Sequence, residues 1–148
     1  MNYYSNANQP SLITVHNAKG KELSILKDNQ HFKERLSKIG VSKKEFITIK
    51  GATEDLNAWI IKPRDFDETK EYPVYFTIYN GPGHNTVTDS WGGSNFMYYQ
   101  LLAQKGYIVI SVDTRGTMYR GAAFKKSTYL QLGKLETEDM IAVAKNVG

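Results

Sequence analysis

Tyr79 is the side chain of this sequence whose position best fits chemistry. It ends an apolar run, residues 74–79 (Val-Tyr-Phe-Thr-Ile-Tyr), and a polar loop at residues 80–83 (Asn-Gly-Pro-Gly) follows at once. A phenol at the end of a strand can donate a hydrogen bond to the oxyanion that develops during acyl transfer. A core aromatic residue is the alternative interpretation, and the local pattern leaves both open.

Asp113 and Arg115 follow a second β-branched run and predict a second set of functional groups. The carboxyl ends of parallel strands meet at one edge of a sheet, so these two side chains should lie near Tyr79. A guanidinium also pairs well with carboxylates. We therefore interpret Arg115 as architectural, pairing with Glu136 or Asp139 to hold the connection at residues 116–133.

The loop at residues 80–83 also has some features of a phosphate-binding loop, because glycine lets backbone amides approach an anion. The G-x-G-x-x-G pattern and a following Lys-Ser or Lys-Thr are both missing, and Pro82 removes one amide. A nucleotide-binding α/β domain is therefore the weakest of the functions considered.

No nucleophile can be assigned from the sequence. Ser94 follows two glycines, but Phe96 stands where the second glycine of a G-x-S-x-G turn belongs and no strand precedes it. We interpret Ser94 as a helix cap. The histidines show no metal-ligand or triad spacing, and they are His16, His31 and His84. We expect no metal and no cofactor.

Two short elements come first in the chain. Residues 12–16 and 22–26 are β-prone runs around an Asn-Ala-Lys-Gly turn, which predicts a hairpin. A short amphipathic helix should follow, with Asn29 as its N-cap and Gly40 ending it in a left-handed turn. Its apolar residues at helical spacing are Phe32, Leu36 and Ile39.

The pattern of apolar and polar residues changes near residue 44, which predicts a domain boundary there. Residues 45–50 and 56–61 alternate apolar and polar side chains around a turn, as an antiparallel pair would. Residues 74–79 and 107–113 then flank a helical stretch capped by Ser94, which predicts a parallel βαβ unit. A last helix should begin at about residue 137. Its predicted buried residues are Met140, Ile141, Ala144 and Val147.

This order of elements is the one with which an α/β-hydrolase domain begins, up to the strand before its nucleophile turn. The predicted fold class is therefore α/β, a mixed sheet with flanking helices. We divide the chain into residues 1–43, a hairpin and connector helix, and residues 44–148, the first half of the hydrolase domain.

Composition excludes several classes of protein. The 148 residues include 41% hydrophobic and 23% charged residues, which is ordinary for a globular protein. The net charge of +4 is spread along the chain in both signs, so a nucleic-acid partner is not expected. There is no cysteine, no signal-peptide pattern at the start, and no apolar run long enough to span a membrane.

Four short motifs resemble, in order and spacing, the dipeptidyl peptidase IV branch of the prolyl oligopeptidase family, in its bacterial form. They are residues 70–73 (Lys-Glu-Tyr-Pro), 78–82 (Ile-Tyr-Asn-Gly-Pro), 112–117 (Val-Asp-Thr-Arg-Gly-Thr) and 129–133 (Tyr-Leu-Gln-Leu-Gly) with Glu136 and Asp139. Residues 4–7 and Pro10 look like the end of that branch's β-propeller. The resemblance covers nearly the whole chain.

The resemblance implies a β-propeller that caps an α/β-hydrolase domain. It implies a serine peptidase that removes dipeptides with Pro or Ala in second position from the amino termini of peptides. It assigns Tyr79 as the oxyanion donor and leaves Asp113 and Arg115 as structural residues near the site. In the family's order the Ser, Asp and His of the triad come later, and the Glu pair that binds the substrate amine comes earlier.

We expect this segment alone to be inactive and to self-associate through an exposed sheet edge. A peptide substrate is expected for the parent protein, and the family resemblance implies export to the periplasm or cell surface. Two alternatives stay open. One is a non-catalytic interaction module of hydrolase ancestry, and the other is an acyl-peptide or oligopeptide hydrolase of the same family.

Overall fold

Residues 55–61 and 108–113 form the two central strands of the larger of two sheets. The computed structural model describes residues 1–147. The strands are β1 (Asn2–Asn6), β2 (Gln9–His16), β3 (Glu22–Lys27), β4 (Lys44–Lys50), β5 (Asp55–Ile61), β6 (Val74–Phe76) and β7 (Ile108–Asp113). The helices are α1 (Gln30–Ile39), α2 (Gly93–Gln104), α3 (Gly121–Lys126) and α4 (Lys134–Val147).

The larger sheet has the strand order β4-β5-β7-β6. The pairs β4–β5 and β5–β7 are antiparallel, whereas β6 and β7 are parallel. Every residue of β7 is buried, because helices cover both faces of the sheet and its neighbours β5 and β6 flank it. The predicted α/β class with a mixed sheet is confirmed.

Helices α2 and α4 lie on opposite faces of this sheet. The α2 face buries Trp59, Ile61, Ala103 and Val109. The α4 face buries a set that we call the α4-side cluster: Leu56, Ala58, Ile110, Val112, Phe124 and Val143. Burying a side chain of this size contributes roughly 1.5–3 kcal/mol, so the two clusters fix both helices against the strands.

The smaller sheet has the order β1-β2-β3, with both pairs antiparallel. The predicted hairpin is confirmed as β2 and β3. Strand β1 was not predicted, because its residues are polar or exposed and carry no apolar alternation. The side chain of Asn8 joins this sheet to β4, since it accepts from the Lys44 amide at 2.7 Å and donates to the Lys44 carbonyl at 3.0 Å.

The predicted N-cap position of α1 at Asn29 is confirmed, whereas the predicted cap of α2 at Ser94 is wrong. Asn29 occupies the N-cap position of α1 but makes no capping bond, because its amide donates to the Ser11 carbonyl at 2.6 Å. The N-cap of α2 is Gly92 rather than Ser94, and the helix begins at Gly93. The predicted left-handed end of α1 at Gly40 is confirmed, with φ of 72°.

Two element boundaries differ from the prediction. Strand β6 ends at Phe76 because it lies at the sheet edge and Asn80 turns into the left-handed region, with φ of 54°. Helix α4 begins at Lys134 rather than near residue 137. Ile141 and Ala144 are exposed, not buried as predicted. The buried residues of α4 are Glu136, Asp139 and Val143.

Helix α3 lies inside the connection at residues 116–133, where no helix is predicted from the sequence. Its Phe124 packs in the α4-side cluster. None of the helices within residues 1–147 has both the length and the apolar character required to cross a membrane.

Candidate active site

Tyr79 lies just beyond the carboxyl end of β6, next to the end of β7. The parallel register sets Phe76 opposite Ile110, and the Thr77 amide still donates to the Ile110 carbonyl at 3.0 Å. The Tyr79 side chain is 59% exposed. Within this segment Tyr79 therefore lies outside both apolar clusters, and its ring is accessible.

The turn after Tyr79 determines where its ring can lie. The rings of Tyr79 and His84 meet edge to face, with centroids 5.0 Å apart at 74°. A Cβ atom on Gly81 would lie 2.9 Å from the Tyr79 ring. Glycine at this position therefore lets the backbone pass close beside the Tyr79 ring. Any larger residue would displace the ring.

A groove runs between the loop after β6 and helix α4. We call it the β6 groove; its volume is about 710 Å³. Residues that line it include Ile78, Asn80, Leu132, Met140, Ile141 and Ala144. The exposed apolar residues of α4 that the sequence analysis expected in the core line this groove instead.

Asn80 carries an unsatisfied polar group in the β6 groove. Both polar atoms of its side-chain amide are buried, and neither has a hydrogen-bond partner within residues 1–147. A buried amide without a partner costs about 1–3 kcal/mol. No sequence signal indicated this unsatisfied amide, because a polar residue in a Gly-Pro loop is ordinary turn chemistry.

We call residues 78–87 the Tyr79 loop, and this loop is held by Asp113. Its carboxylate is buried at the end of β7 and accepts the Asn85 side-chain amide at 2.8 Å. It also accepts the Thr86 amide at 2.8 Å, the Thr86 hydroxyl at 3.0 Å and the Val87 amide at 3.2 Å. The sequence located Asp113 at this edge but did not indicate Asn85 or Thr86.

Thr86 is tied to the sheet by two further bonds. Its hydroxyl accepts from Ser111 at 2.7 Å, and its carbonyl accepts from the indole of Trp59 at 3.0 Å. Asn85 also joins the loop after β7, because its side-chain oxygen accepts the Met118 backbone amide at 3.2 Å. The far end of the Tyr79 loop is therefore fixed to β5, β7 and the loop after β7.

Arg115 lies on the opposite side of the strand end and pairs with Asp139 of α4. Hydrogen bonding to Asp139 raises the pKa of the Arg115 guanidinium above its ordinary value. Of the two predicted partners, Asp139 is confirmed and Glu136 is wrong. The Glu136 carboxylate instead accepts the Gly133 amide at 3.0 Å, the return bond of a capping box.

The remaining sequence candidates lie apart from Tyr79, except for His84. Ser94 is exposed in the first turn of α2. His16 contacts the Thr14 hydroxyl at 2.8 Å and the Gly20 carbonyl at 2.9 Å, so it is a turn histidine. In the part of the chain that the structure describes, no three His, Cys, Asp or Glu residues are grouped to hold a metal ion.

The sheet order and the helices packed on both of its faces are those of the N-terminal part of an α/β-hydrolase domain. A search of family models matches residues 94–148 to the prolyl oligopeptidase family. Dipeptidyl peptidase 4 of Trichophyton rubrum is 35% identical over 129 residues, which cover 86% of this chain and 17% of that protein.

Solved structures agree with this assignment. The crystal structure of Porphyromonas gingivalis dipeptidyl peptidase 4 superimposes with a TM-score of 0.89 at 43% identity, covering 99% of this chain and 21% of that one. Pyrococcus horikoshii acylaminoacyl peptidase, at 20% identity and a TM-score of 0.74, shares the fold. The chain belongs to the prolyl oligopeptidase family, in its dipeptidyl peptidase IV branch, and spans about a fifth of the length of these relatives.

Proposed function

We propose that the longer protein containing this chain is a serine exopeptidase that releases dipeptides, with Pro or Ala in second position, from peptide amino termini. Within it, residues 1–43 are the end of a β-propeller with a connector helix, and residues 44–148 begin the catalytic domain. The accessible phenol of Tyr79 at the carboxyl end of β6 is the observation that carries this proposal. We assign Tyr79 as the donor to the oxyanion.

The topology supports the place of the nucleophile. Helix α2 connects β6 to β7 across one face of the sheet, and α4 follows β7 on the opposite face. Crossovers between parallel strands are right-handed in nearly all proteins. Because α2 and α4 lie on opposite faces of the sheet, the strand that follows α4 is added in the direction opposite to the step from β6 to β7. A strand that follows α4 in the longer protein would therefore pair with the open edge of β6.

Such a strand would occupy the β6 groove and end beside Tyr79. In α/β hydrolases the nucleophile turn lies at the end of this strand. Backbone groups of an incoming strand would also supply partners for the buried amide of Asn80. The groove and the unpartnered amide thus both favour further polypeptide at this edge.

The chemistry is acyl transfer in two steps. The serine oxygen bonds to the substrate carbonyl carbon, its proton passes to the triad histidine, and the carbonyl oxygen becomes an oxyanion. Tyr79 and a backbone amide donate to that oxyanion. When the intermediate collapses, the C–N bond breaks and the leaving amine takes the proton; water then hydrolyses the acyl-enzyme by the same route and regenerates the serine.

The test is Tyr79→Phe in the longer protein, assayed with a Gly-Pro chromogenic amide. Loss of one oxyanion donor typically lowers kcat by ~10²–10³. We expect this loss with little change in KM, and Tyr3→Phe, a tyrosine that is 68% exposed on β1, is the matched control. An unchanged kcat in Tyr79→Phe would contradict the role of Tyr79, and cleavage of N-acyl amides but not of Gly-Pro amides would contradict the proposed substrate.

The 148-residue segment made on its own is proposed to be inactive, because its sequence contains no G-x-S-x-G turn. Incubation with the Gly-Pro amide and with a fluorophosphonate serine probe should give neither turnover nor labelling. Turnover accompanied by labelling of a serine would overturn this proposal.

A further inference from the structure

We propose that Asp113 is a positioning residue for Tyr79, acting through the Tyr79 loop. The inference rests on the proposed function, because it assigns a role in the same reaction. It concerns a residue that touches neither the phenol nor the reacting atoms. The buried carboxylate is assigned to hold the loop in the one conformation that presents Tyr79 at the end of β6.

The partners of the Asp113 carboxylate are all neutral donors from the Tyr79 loop. Asn85, Thr86 and Val87 supply four hydrogen bonds of 2.8–3.2 Å. The nearby cation, Arg115, is committed to Asp139. A buried carboxylate is costly to desolvate, and here that cost is offset by bonds to one loop, so losing the loop conformation would leave the charge unsatisfied.

Both ends of the Tyr79 loop are fixed to the same strand. Immediately before the loop the Thr77 amide donates to the Ile110 carbonyl, and at its end residues 85–87 donate to Asp113. Ile110 and Asp113 both belong to β7. Anchoring both ends to one rigid strand limits the conformations that the intervening residues, Tyr79 included, can adopt.

The backbone conformation between the anchors is only weakly restricted by the two glycines there. Gly81 and Gly83 carry no side chains, and Gly83 has φ of 103°, a region open to glycine. His84 precedes the anchored residues and its ring contacts that of Tyr79. The order transmitted from Asp113 therefore reaches the phenol through a short path of Asn85, His84 and the Tyr79 ring.

The test is a double-mutant cycle in the longer protein with Asp113→Asn, Tyr79→Phe and the double variant. Rates are measured with the Gly-Pro amide and divided by the concentration of serine that the fluorophosphonate probe labels. This normalisation excludes unfolded protein from the rate. A displaced catalytic group can cost on the order of 10²-fold, and we expect Asp113→Asn to lower kcat by about 10- to 100-fold. In the Tyr79→Phe background the same change should cost less than about threefold, because the group it positions is already lost.

Equal losses from Asp113→Asn in both backgrounds, or no loss in either, would overturn the inference. An unchanged kcat in Tyr79→Phe would instead overturn the proposed role of Tyr79. Val143→Ala, a buried change in the α4-side cluster, is the control for lost stability and should leave the rate per labelled serine unchanged. Where Asp113→Asn fails to fold, Thr86→Val removes one hydroxyl donor to the carboxylate and should show the same dependence on Tyr79 with a smaller loss.

Discussion

The guanidinium of Arg115 and the carboxylate of Asp139 form a two-point ion pair inside the protein. Arg115 Nε lies 3.0 Å from Asp139 Oδ2, and Nη2 lies 3.0 Å from Oδ1. The Arg115 backbone amide also donates to Oδ2 at 3.0 Å. Asp139 reaches the turn between β4 and β5 as well, by accepting the Ala52 amide at 3.1 Å. One carboxylate on α4 thus joins two loops of the sheet.

Asp139→Ala should destabilise the protein strongly. Removing one partner of a buried pair leaves the other charge uncompensated, which costs about 3–5 kcal/mol. Glu138→Ala is the matched control, because Glu138 contacts the same guanidinium at 3.3 Å from a side chain that is 45% exposed. That change should cost about 1 kcal/mol or less. Chemical unfolding of both variants measures the difference, and similar losses would contradict the buried pair as the anchor of α4.

Stability should depend on Lys44 at alkaline pH. Burial lowers the pKa of Lys44 below its ordinary value of 10.5, and attraction to Asp89 only partly opposes this. Between the lowered value and 10.5 the unfolded chain holds more protons than the folded one, so the wild type gains stability as the pH rises. Lys44→Met removes this gain. We therefore expect the unfolding midpoint of Lys44→Met, expressed as its difference from the wild-type midpoint, to be lower at pH 10 than at pH 7.

Lys62→Met is the control for this pH experiment. The Lys62 ammonium lies 4.7 Å from the Phe66 ring centroid, the same distance that separates Lys44 from the Trp59 ring. Lys62 is less buried than Lys44. A midpoint difference for Lys44→Met that stays constant between pH 7 and pH 10 would contradict the burial effect.

Gly116 should tolerate alanine less well than Gly83. Both have positive φ, 97° and 103°, so alanine at either position meets similar backbone strain. A Cβ atom on Gly116 would also lie 2.7 Å from the Thr128 hydroxyl oxygen, whereas no atom lies within 4 Å at Gly83. Overpacking should add about 1–3 kcal/mol to the cost of Gly116→Ala. Equal unfolding free energies for the two variants would show that Thr128 moves aside freely.

The isolated segment is proposed to self-associate through β6. Strand β7 covers one side of β6, and the other edge of β6 is open within residues 1–147. That edge adjoins the β6 groove, where Ile78 is 47% exposed. Light scattering should show mass rising with concentration, because open edges and apolar surfaces pair with copies of themselves.

Ile78→Lys should reduce this association, because a charge beside the open edge opposes pairing. Ile39→Lys is the control, since Ile39 is 49% exposed at the end of α1, away from the groove. A wild-type segment that stays monomeric across concentrations would contradict the proposal. Equal reduction by both substitutions would show that the contact lies elsewhere.

The sequence was sufficient where the signal is local. The β-branched run at residues 108–113 predicted a buried central strand because such side chains suit a sheet covered on both faces. Gly40 predicted the end of α1 because a left-handed turn favours glycine. Tyr79 and Asp113 could be placed at one sheet edge because parallel strands end together.

Tertiary contacts decided the rest. The period of α4 predicted Ile141 in the core, but the helix turns its polar Asp139 inward, because Arg115 supplies the compensating charge from a distant loop. Asn29 occupies the N-cap position of α1, yet its side chain donates to the Ser11 carbonyl of β2 instead of capping the helix. In each case two chemically acceptable partners compete, and only the three-dimensional arrangement selects between them.

By itself, the sequence determined the fold class, the chain order of the strands in the larger sheet and the position of the Tyr79 phenol after a strand, but neither β1 nor α3. Only the tertiary structure decided that Tyr79 is exposed, that Asn80 lacks a partner and that the Asp113 carboxylate fixes the Tyr79 loop. The reason is physical. Propensity and hydrophobic period act between near neighbours along the chain, whereas the bonds that fix the loop join residues 26–28 positions apart, which come together only when β7 lies beside β6.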